Sequence, residues 1–397
     1  MKILVGWDNA EEADLINLLL GASENEVSLA LGPDEFETLV TGGVNWDAVL
    51  MPTSFPDCDR GFELLLAIQK AHPECPVVGA CHPGEMVKLA RFLGQGMRSY
   101  VLRDQGQEFV FLLQVTVEGV VQAVQAERER KISEKLREEV ESVRKLQESI
   151  IPRNMKVPDG YSIRARYEPS QLRVLGGQPV SMAGGDYYDV FPVDEKNVVL
   201  IVGDASGHGM KACMSIMTMH TLVRMIRGNK YRETSAFVAE VNRMLAEQSI
   251  VTGDGGFITL LYGILVGERH ELEWSSAGHP IPLLQNLETN EVVPLAADDA
   301  GGCPLGITLE DTYSQCVSPI PPHSRLLMFT DGLVEAFADD ESGAHIEFGV
   351  DGVIGVLQAC RRRSLDETLQ ELYEKSFEFT RGAGRHDDTS VLLMERA

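Results

Sequence analysis

Short apolar runs alternate with segments of helical periodicity over the first hundred residues. The apolar runs predicted as strands are Lys2–Val5, Ala48–Met51, Val77–Ala80 and Tyr100–Leu102. The segments predicted as helices are Ala10–Leu20, Gly61–Ala71 and Gly84–Leu93. Strands that alternate with helices are typical of a parallel sheet covered on both faces. The pattern therefore predicts an α/β doubly wound domain over residues 1–104.

A continuous helix is predicted over residues 107–151. The segment contains no proline and a single glycine, Gly119, and its second half is rich in the helix-favouring residues Glu, Arg, Lys and Leu. Pro152 ends it, because the residue before a proline is disfavoured in helix. We expect this segment, bounded as residues 105–151, to link two domains.

Apolar residues recur at heptad spacing in the second half of this helix. One row consists of Leu136, Val143 and Ile150. A second row contains Ile132 and Leu146 but is interrupted by Glu139. Acidic and basic side chains are balanced on the remaining faces, which favours contact between two such helices. The pattern predicts a short, imperfect coiled coil and a homodimer, and the alternative is a helix packed only on its own domains.

Longer β-rich runs and paired helices characterise residues 152–397. The predicted strands are Val198–Val202, Phe257–Val266, Leu272–Ser275, Ile281–Leu284, Leu326–Phe329 and Thr389–Met394. The predicted helices are Met210–Arg227, Glu233–Ser249, Val350–Arg362 and Leu365–Arg381. Strands in runs with helices in pairs indicate a layered α+β domain rather than repeated βαβ units.

Charge and cysteine content narrow the classes of partner and compartment. Sixty acidic residues against 35 basic ones give a net charge of −25, which repels nucleic-acid backbones and anionic lipids. Seven cysteines without a C-x-x-C pair fit neither a disulfide framework nor a zinc site. No run approaches the roughly 18 uninterrupted apolar residues of a spanning helix. A soluble cytoplasmic protein without nucleic-acid or membrane partners is expected.

Several aspartates stand where predicted strands begin or end. They are Asp186 in GGDYYD, Asp204 in VGDASGHG, Asp331 in FTDG and Asp387 in RHDDT. Carboxylates that converge without a basic neighbour must be neutralised in some other way. Mg²⁺ and Mn²⁺ do this through a few carboxylate oxygens and water. Taken singly, however, each Asp-Gly pair is more often part of a turn than a metal ligand.

Ordered motifs from Leu146 to the end of the chain carry a family resemblance. They are Leu146–Pro152, Gly184–Asp189, Gly203–Gly209, Ser276–Pro280, Pro304–Gly306, Phe329–Glu335, Phe348–Gly349 and His386–Thr389. This part of the chain resembles the metal-dependent PPM-type serine/threonine phosphatases, in the bacterial stress-response and sporulation branch (SpoIIE/RsbU-type). The resemblance implies a β-sandwich flanked by helical layers, with two divalent metal ions, Mn²⁺ or Mg²⁺, at one edge.

The same resemblance implies roles for individual residues. The implied metal ligands are Asp186, Asp204, the backbone carbonyl of Ala205, Asp331 and Asp387. Asp204 would bridge both ions, and Asp331 and Asp387 would hold the second. Asp186 would act directly or through water, and Asp388 is the weaker candidate of its pair.

The implied chemistry is attack of water on phosphorus. Two ions held by Asp204 and its neighbours would lower the pKa of a shared water and offset charge on the phosphoryl oxygens. His208 is predicted to protonate the leaving serine oxygen, and a supporting role for this loop histidine is the alternative. His279 is predicted to be structural.

The first hundred residues resemble response-regulator receiver domains whose chemistry has been replaced. The segments that carry this resemblance are Trp46–Met51 and Phe55–Gly61. Pro52 stands where the phosphoryl-accepting aspartate belongs, and Trp7 replaces one of two acids while Asp8 retains the other. Cys81 and Arg103 stand at the usual Thr/Ser and Lys. Because proline has no nucleophile, the resemblance implies a pseudo-receiver that binds a partner, a ligand or another copy of itself.

Together these resemblances imply a phosphatase regulated by its N-terminal domain through a dimeric helix. The implied substrate is a phosphorylated anti-sigma-factor antagonist. One alternative is an inactive module that binds a phosphoprotein. Another is a diguanylate-cyclase-like output, which leaves Asp331 and Asp387 unexplained and has Tyr187-Tyr188 in place of the expected Glu-Phe. Metal-dependent turnover separates these readings.

Overall fold

The chain folds into two compact units, Met1–Leu136 and Arg137–Ala397. The computed structural model describes residues 1–22, 25–104, 108–152, 154–172, 180–181, 184–226, 233–297, 300–339, 345–381 and 387–397. The division falls inside the long helix, whereas the sequence predicted a separate segment over 105–151. The reason is that the start of the helix packs in the first core and Ile150 packs against the second.

The N-terminal unit is a parallel sheet between helices. Its strands are β1 (Lys2–Gly6), β2 (Glu26–Ala30), β3 (Ala48–Pro52), β4 (Val77–Cys81) and β5 (Met97–Leu102). Its helices are α1 (Ala10–Gly21), α2 (Pro33–Thr41), α3 (Cys58–Ala71), α4 (Met86–Gly94) and the start of α5 (Phe109–Ile150). The strand order is β2-β1-β3-β4-β5, with every pair parallel. This order is that of the flavodoxin-like doubly wound fold.

Both faces of this sheet are covered, as a doubly wound fold requires. Phe36 of α2 and Leu65 of α3 pack on one face, and Ile16 of α1 and Leu113 of α5 pack on the other. The predicted α/β arrangement is therefore present. The sequence reading missed β2 and α2, which bury few side chains along their length.

The C-terminal unit contains a larger set of strands and helices. Its strands are β6 (Tyr161–Glu168), β7 (Gln171–Leu172), β8 (Val180–Ser181), β9 (Asp186–Pro192), β10 (Asn197–Ala205), β11 (Ile258–Val266), β12 (Glu271–Ala277), β13 (Leu283–Asn286), β14 (Val292–Pro294), β15 (Gly301–Gly302), β16 (Cys316–Pro319), β17 (Ser324–Phe329), β18 (Phe337–Asp339), β19 (His345–Glu347) and β20 (Thr389–Arg396). Its helices are α6 (Met210–Ile226), α7 (Thr234–Ala246), α8 (Ser249–Thr252), α9 (Gly349–Ala359) and α10 (Leu365–Phe379). The predicted strands and helices all occur here, with shifted ends.

These elements form a sandwich with helical outer layers. One sheet has the order β15-β12-β11-β10-β9, with β16 beside β12, and the other has the order β14-β13-β17-β20-β6. Trp274 and Leu392 lie in the core between the two sheets. Helices α6 and α7 pack on the first sheet, and α9 and α10 pack on the second. The layered α+β prediction for this unit is confirmed in these residues.

Helix α5 is long and apolar enough, by length and composition alone, to cross a membrane. Its most apolar 18-residue window has a mean hydropathy of 1.5 and is 28% buried. The expectation concerned an uninterrupted apolar run, and Gln114, Glu118 and Gln122 interrupt this one. Val110, Leu113, Val117 and Val121 from this window pack in the core of the N-terminal unit. The core helix of a soluble protein meets the same criteria of length and composition.

Candidate functional site

The predicted metal-binding acids come from both sheets of the sandwich. Asp186 begins β9 and lies directly opposite Asp204, near the end of the antiparallel strand β10. Asp331 follows β17, and Asp387 precedes β20, which pairs with β17. The hydroxyl of Thr330 donates to Asp186 Oδ2 at 2.7 Å and so connects the two sheets at this edge. The fold thus brings the four acids to one edge of the sandwich.

Burial and mutual repulsion raise the pKa values of these acids. The pKa of Asp204 lies far above its usual range because the side chain is buried and because Asp186, Asp331 and Asp387 place negative charge nearby. Burial, together with the charge of Asp388, also raises the pKa of Asp186. The pKa of Asp387 rises to about 6, mainly through burial. A cation at this edge would relieve the repulsion.

The donor set at this edge fits a hard divalent cation. Asp186 Oδ1 and Asp331 Oδ1 are buried and accept no hydrogen bond from the described residues. Carboxylate oxygens in this state are the ligands that Mg²⁺ and Mn²⁺ prefer. Within the described ranges, no three His, Cys, Asp or Glu side chains are already drawn together closely enough to hold an ion. The fit of this edge to a divalent cation therefore rests on its unpartnered carboxylate oxygens and its uncompensated negative charge.

Glycines allow the backbone to approach closely around these acids. A Cβ on Gly185 would lie 2.6 Å from the carbonyl oxygen of Ala205, the predicted backbone ligand. A Cβ on Gly332 would lie 1.9 Å from the carbonyl oxygen of Asp388. Real Cβ atoms essentially never make such contacts. The glycines at these two positions are consequently required by the packing of the loops.

Asp388 and Asp387 have different surroundings. Both carboxylate oxygens of Asp388 accept backbone hydrogen bonds, from Ser170 N at 2.7 Å and from Gly185 N at 2.6 Å. Asp387 Oδ1 accepts one hydrogen bond, from the N–H of Asp388 at 2.8 Å. Asp388 therefore holds two loops through both of its carboxylate oxygens, whereas Asp387 accepts a single backbone hydrogen bond in the part of the chain described.

The two histidines singled out from the sequence lie in contrasting settings. His208 is exposed between Gly207 and Gly209, which both have positive φ values, 82° and 83°. Burial raises the pKa of Asp388 and the charge of His208 opposes this rise, so His208 lies near the acids. His279 is buried, accepts or donates a hydrogen bond with Thr259 at 2.9 Å, and has a pKa lowered by burial to about 3. A neutral, enclosed His279 fits the structural role predicted for it.

The residues singled out in the N-terminal unit share the carboxyl edge of its sheet. They are Trp7 and Asp8 after β1, Pro52 at the end of β3, Cys81 at the end of β4 and Arg103 after β5. Arg103 is buried and pairs with Asp8 and with Glu12 of α1, both at 2.7 Å. The indole N–H of Trp7 donates to Glu12 at 2.8 Å. Sequence reading missed Glu12, whose signal was its position one helical turn beyond Asp8.

The C-terminal half of the chain is similar to a known protein family. The family model described as Stage II sporulation protein E (SpoIIE) matches residues 194–397. Phosphoserine phosphatase RsbU of Bacillus subtilis (strain 168) is 24% identical over 256 residues, which cover 64% of this chain and 70% of RsbU. Phosphoserine phosphatase RsbP of the same organism is 24% identical over 203 residues, which cover 50% of this chain and 46% of RsbP. The chain thus spans less than half the length of RsbP.

A solved structure shows the same fold. The SiaA-PP2C domain of Pseudomonas aeruginosa matches with a TM-score of 0.54 at 19% identity, over 68% of this chain and 98% of that domain. The helix-flanked sandwich with acids at one edge is thus a PP2C-like α/β phosphatase fold. The chain belongs to the SpoIIE family, whose model matches more than half of it, and is homologous to the phosphoserine phosphatases RsbU and RsbP.

Proposed function

We propose that this protein is a regulated, metal-dependent protein serine/threonine phosphatase acting on a phosphorylated signalling protein. The observation that carries the proposal is the edge where Asp186, Asp204, Asp331 and Asp387 meet with raised pKa values and unpartnered oxygens. Two divalent cations, Mn²⁺ or Mg²⁺, would supply an activated water and stabilise charge on a phosphoryl group here.

The ligand roles follow from position in the fold. Asp204 faces Asp186 across a strand pair and is acted on by the charges of Asp331 and Asp387, so it suits the bridging role. The carbonyl of Ala205, next along β10, would add a backbone ligand. Together these groups would hold two ions.

His208 is proposed as the proton donor to the leaving oxygen. Its side chain is exposed on a loop close to Asp388, where an imidazole is accessible to a bound substrate. Imidazole side chains commonly serve as general acids in catalysis. Replacing His208 with glutamine would slow release of a poor leaving group, such as serine, more than release of p-nitrophenol.

The substrate class is proposed from the names of the relatives. Two curated relatives are named phosphoserine phosphatase, and we propose a phosphoserine or phosphothreonine on an anti-sigma-factor antagonist as the substrate here. The net charge of −25 disfavours a nucleic-acid substrate.

The N-terminal unit is proposed to regulate as a pseudo-receiver. Its strand order supports the receiver-like reading, and Pro52 leaves no phosphoryl acceptor at the end of β3. Arg103 fills the same edge and is held there by Asp8 and Glu12. We propose that a partner or ligand acts on this unit and that a homodimer of helix α5 transmits the signal.

The proposal is tested by the products formed from three substrates. Purified full-length protein with Mn²⁺ is expected to release phosphate from a phosphoserine-bearing antagonist protein and to leave phosphotyrosine protein and GTP unchanged. Binding of the phosphoprotein without phosphate release would instead support the inactive binding module. Formation of a cyclic dinucleotide from GTP would support the cyclase reading.

A further inference from the structure

A groove between strand β6 and helix α10 opens beside the predicted metal edge. Its cavity volume is about 230 Å³. Strand β6 contributes Arg166 and Glu168, which lie on one face of the strand, and α10 contributes Gln370, Glu374 and Phe377, which lie on one face of the helix. Sites that enclose drug-sized ligands measure roughly 300–1,000 Å³. This groove is smaller and suits a single side chain.

The floor of the groove is fixed by Tyr373. This residue is 2% exposed, and its hydroxyl donates to the backbone carbonyl oxygens of Arg166 at 2.6 Å and Thr389 at 2.9 Å. The Arg166 guanidinium lies over the Tyr373 ring, 4.6 Å from its centroid. Because these contacts join α10 to both β6 and β20, the fold itself sets the shape of the groove.

The charge inside the groove is negative. Arg166 forms an ion pair with Glu168 and donates to Gln370 Oε1 at 2.6 Å. Gln370 Nε2 in turn donates to Glu374 Oε1 at 2.6 Å. The positive charge of Arg166 is thus neutralised within the groove, and a carboxylate lies at each end of this chain of contacts. Helix α10 as a whole has five acidic residues and one basic residue, so the groove attracts a cation.

An exposed aromatic side chain borders the same groove. Phe377 is 41% exposed, and it follows Glu374 by almost one helical turn. Lysine and arginine pack their aliphatic stems on apolar surfaces, and their cations are attracted to the faces of aromatic rings. A ring beside carboxylates therefore favours a basic side chain over an acidic or a purely apolar one.

The groove lies close to the predicted metal ligands. Glu168 is directly opposite Thr389, and Asp387 precedes Thr389 by two residues. From the spacing across a strand pair and along a strand, the groove is roughly 10 Å from Asp387, which about three residues of extended chain would span. A substrate whose phosphoryl group lies at the metal edge could therefore place a neighbouring side chain in the groove.

We propose that this groove receives a lysine or arginine side chain of the phosphoprotein substrate. The inference rests on the proposed function and adds a feature of the substrate that this function leaves open. Glu374 and Phe377 are then specificity-determining residues, because they contact the substrate away from its phosphoryl group.

The test measures phosphate release from synthetic peptides by the full-length protein with Mn²⁺. Each peptide contains one phosphoserine and has lysine, alanine or glutamate about three residues before or after it, as the spacing requires. The variants are Glu374→Lys and Phe377→Ala. The control is Glu378→Lys, which makes the same change of charge at an exposed position of α10 that does not line the groove. Both kcat/KM and the dissociation constant, from fluorescence anisotropy, are determined for each peptide.

The wild type is expected to favour a lysine peptide over the matching alanine peptide by about 3–10-fold in kcat/KM, the size expected of an exposed ion pair with a ring contact. Phe377→Ala should reduce this preference, and Glu374→Lys should reverse it in favour of glutamate. Glu378→Lys should keep the wild-type order. Equal values for lysine and alanine peptides, a wild-type preference for glutamate, or an equal loss of preference in Glu378→Lys would overturn the proposal.

The readouts separate failure of this inference from failure of the proposed function. Hydrolysis of p-nitrophenyl phosphate by the wild type tests the function alone, because this small substrate has no side chain to place in the groove. A wild type that hydrolyses it but treats all peptides alike would keep the function and refute the groove. If the wild type hydrolysed nothing, the function would be contradicted, and the dissociation constants of the lysine and alanine peptides would decide the role of the groove.

Discussion

Asp204 and Asp387 are more costly to ionise in the folded metal-free protein than in the unfolded chain. Burial is the main cause for both, and neighbouring carboxylates add to it. A carboxyl whose pKa is raised by folding binds more protons in the native state, so it destabilises the native state as pH rises through that interval. The acids that would hold metal are therefore a source of instability without it.

The first prediction concerns pH and stability in EDTA. The free energy of unfolding should fall as pH rises from about 4, the usual aspartate pKa, to about 6, the raised pKa of Asp387. Asp387→Asn should reduce this fall, because the amide does not ionise. Denaturant titrations at several pH values measure it, with the exposed Asp351→Asn as control. The electrostatic account would be contradicted if the stability of the C-terminal unit rose over this pH interval and Asp387→Asn had no effect on it.

The second prediction concerns the close approach at Gly332. A Cβ there would meet a backbone oxygen at 1.9 Å, and backbone cannot move aside as a flexible side chain can. Gly332→Ala should destabilise the protein by about 1–3 kcal/mol, as overpacking does, and should lower activity by displacing the neighbouring Asp331. Thermal and denaturant unfolding measure the change.

The control for Gly332 is a glycine with open space around it. Gly355 lies within α9, and a Cβ there would meet nothing within 4 Å. Gly355→Ala should stabilise the protein by about 0.5–1 kcal/mol, because alanine is the better helix former. If neither Gly332→Ala nor Gly355→Ala changed the stability of the protein, the tight packing inferred around Gly332 would be wrong.

At the scale of elements, helix α5 has different surroundings along its length. Leu136 is 62% exposed and Ile132 is 61% exposed, so both predicted apolar rows are uncovered in a single chain at this point. Ile150, the last member of the Leu136 row, instead packs partly against the core of the C-terminal unit. A coiled-coil contact is therefore best tested at Leu136. Because this side chain is exposed, its substitution should leave the fold of a single chain intact.

The third prediction is that Leu136 contributes to a dimer. Leu136→Asp should weaken self-association by at least about 100-fold, since burying a leucine from each chain is worth about 1.5–3 kcal/mol per side chain. The neighbouring exposed Lys135→Asp is the control. Sedimentation equilibrium measures association, and activity should fall with it. A wild type that is monomeric at all concentrations, or a monomeric variant with full activity, would refute the dimeric linker.

The hydrophobic pattern of each strand and helix explains which parts of the fold could be predicted. Buried strands such as β3 and β11 read as apolar runs, and the amphipathic α10 begins with the capping box of Ser364 and Glu367. Strand β9 was missed because it begins with Asp186 and contains Asp189, whose burial depends on Arg224 from α6. The aspartates were found from motifs and family resemblance, whereas Glu12 was missed because its role depends on tertiary contacts with Trp7 and Arg103.

At the scale of the whole molecule, each of the two units has its own core. Trp7 and Ile16 belong to one buried cluster, and Trp274 and Leu392 belong to another. The predicted metal ligands all lie in the second unit. Metal binding should therefore stabilise one unit directly and leave the intrinsic stability of the other unchanged.

The fourth prediction is two thermal transitions with unequal responses to metal. Scanning calorimetry of the full chain should show that Mn²⁺ raises only the transition of the C-terminal unit. At 100 times its dissociation constant the ion adds about 2.7 kcal/mol, equivalent to roughly 5–11 °C for a unit of this size. Arg103→Ala, which leaves Asp8 and Glu12 without their partner, should lower only the other transition. A single thermal transition that Mn²⁺ and Arg103→Ala shift by equal amounts would contradict the division into two units.

The most direct test of the central claim is metal-dependent turnover. Hydrolysis of p-nitrophenyl phosphate and of a phosphoserine protein is measured with Mn²⁺, Mg²⁺ or EDTA, for wild type, Asp204→Ala, Asp331→Ala and the exposed control Asp351→Ala. We predict turnover that requires the metal, falls more than about 100-fold in the first two variants and is unchanged in the control. Turnover that persists in EDTA, or in Asp204→Ala with Mn²⁺, would contradict the account.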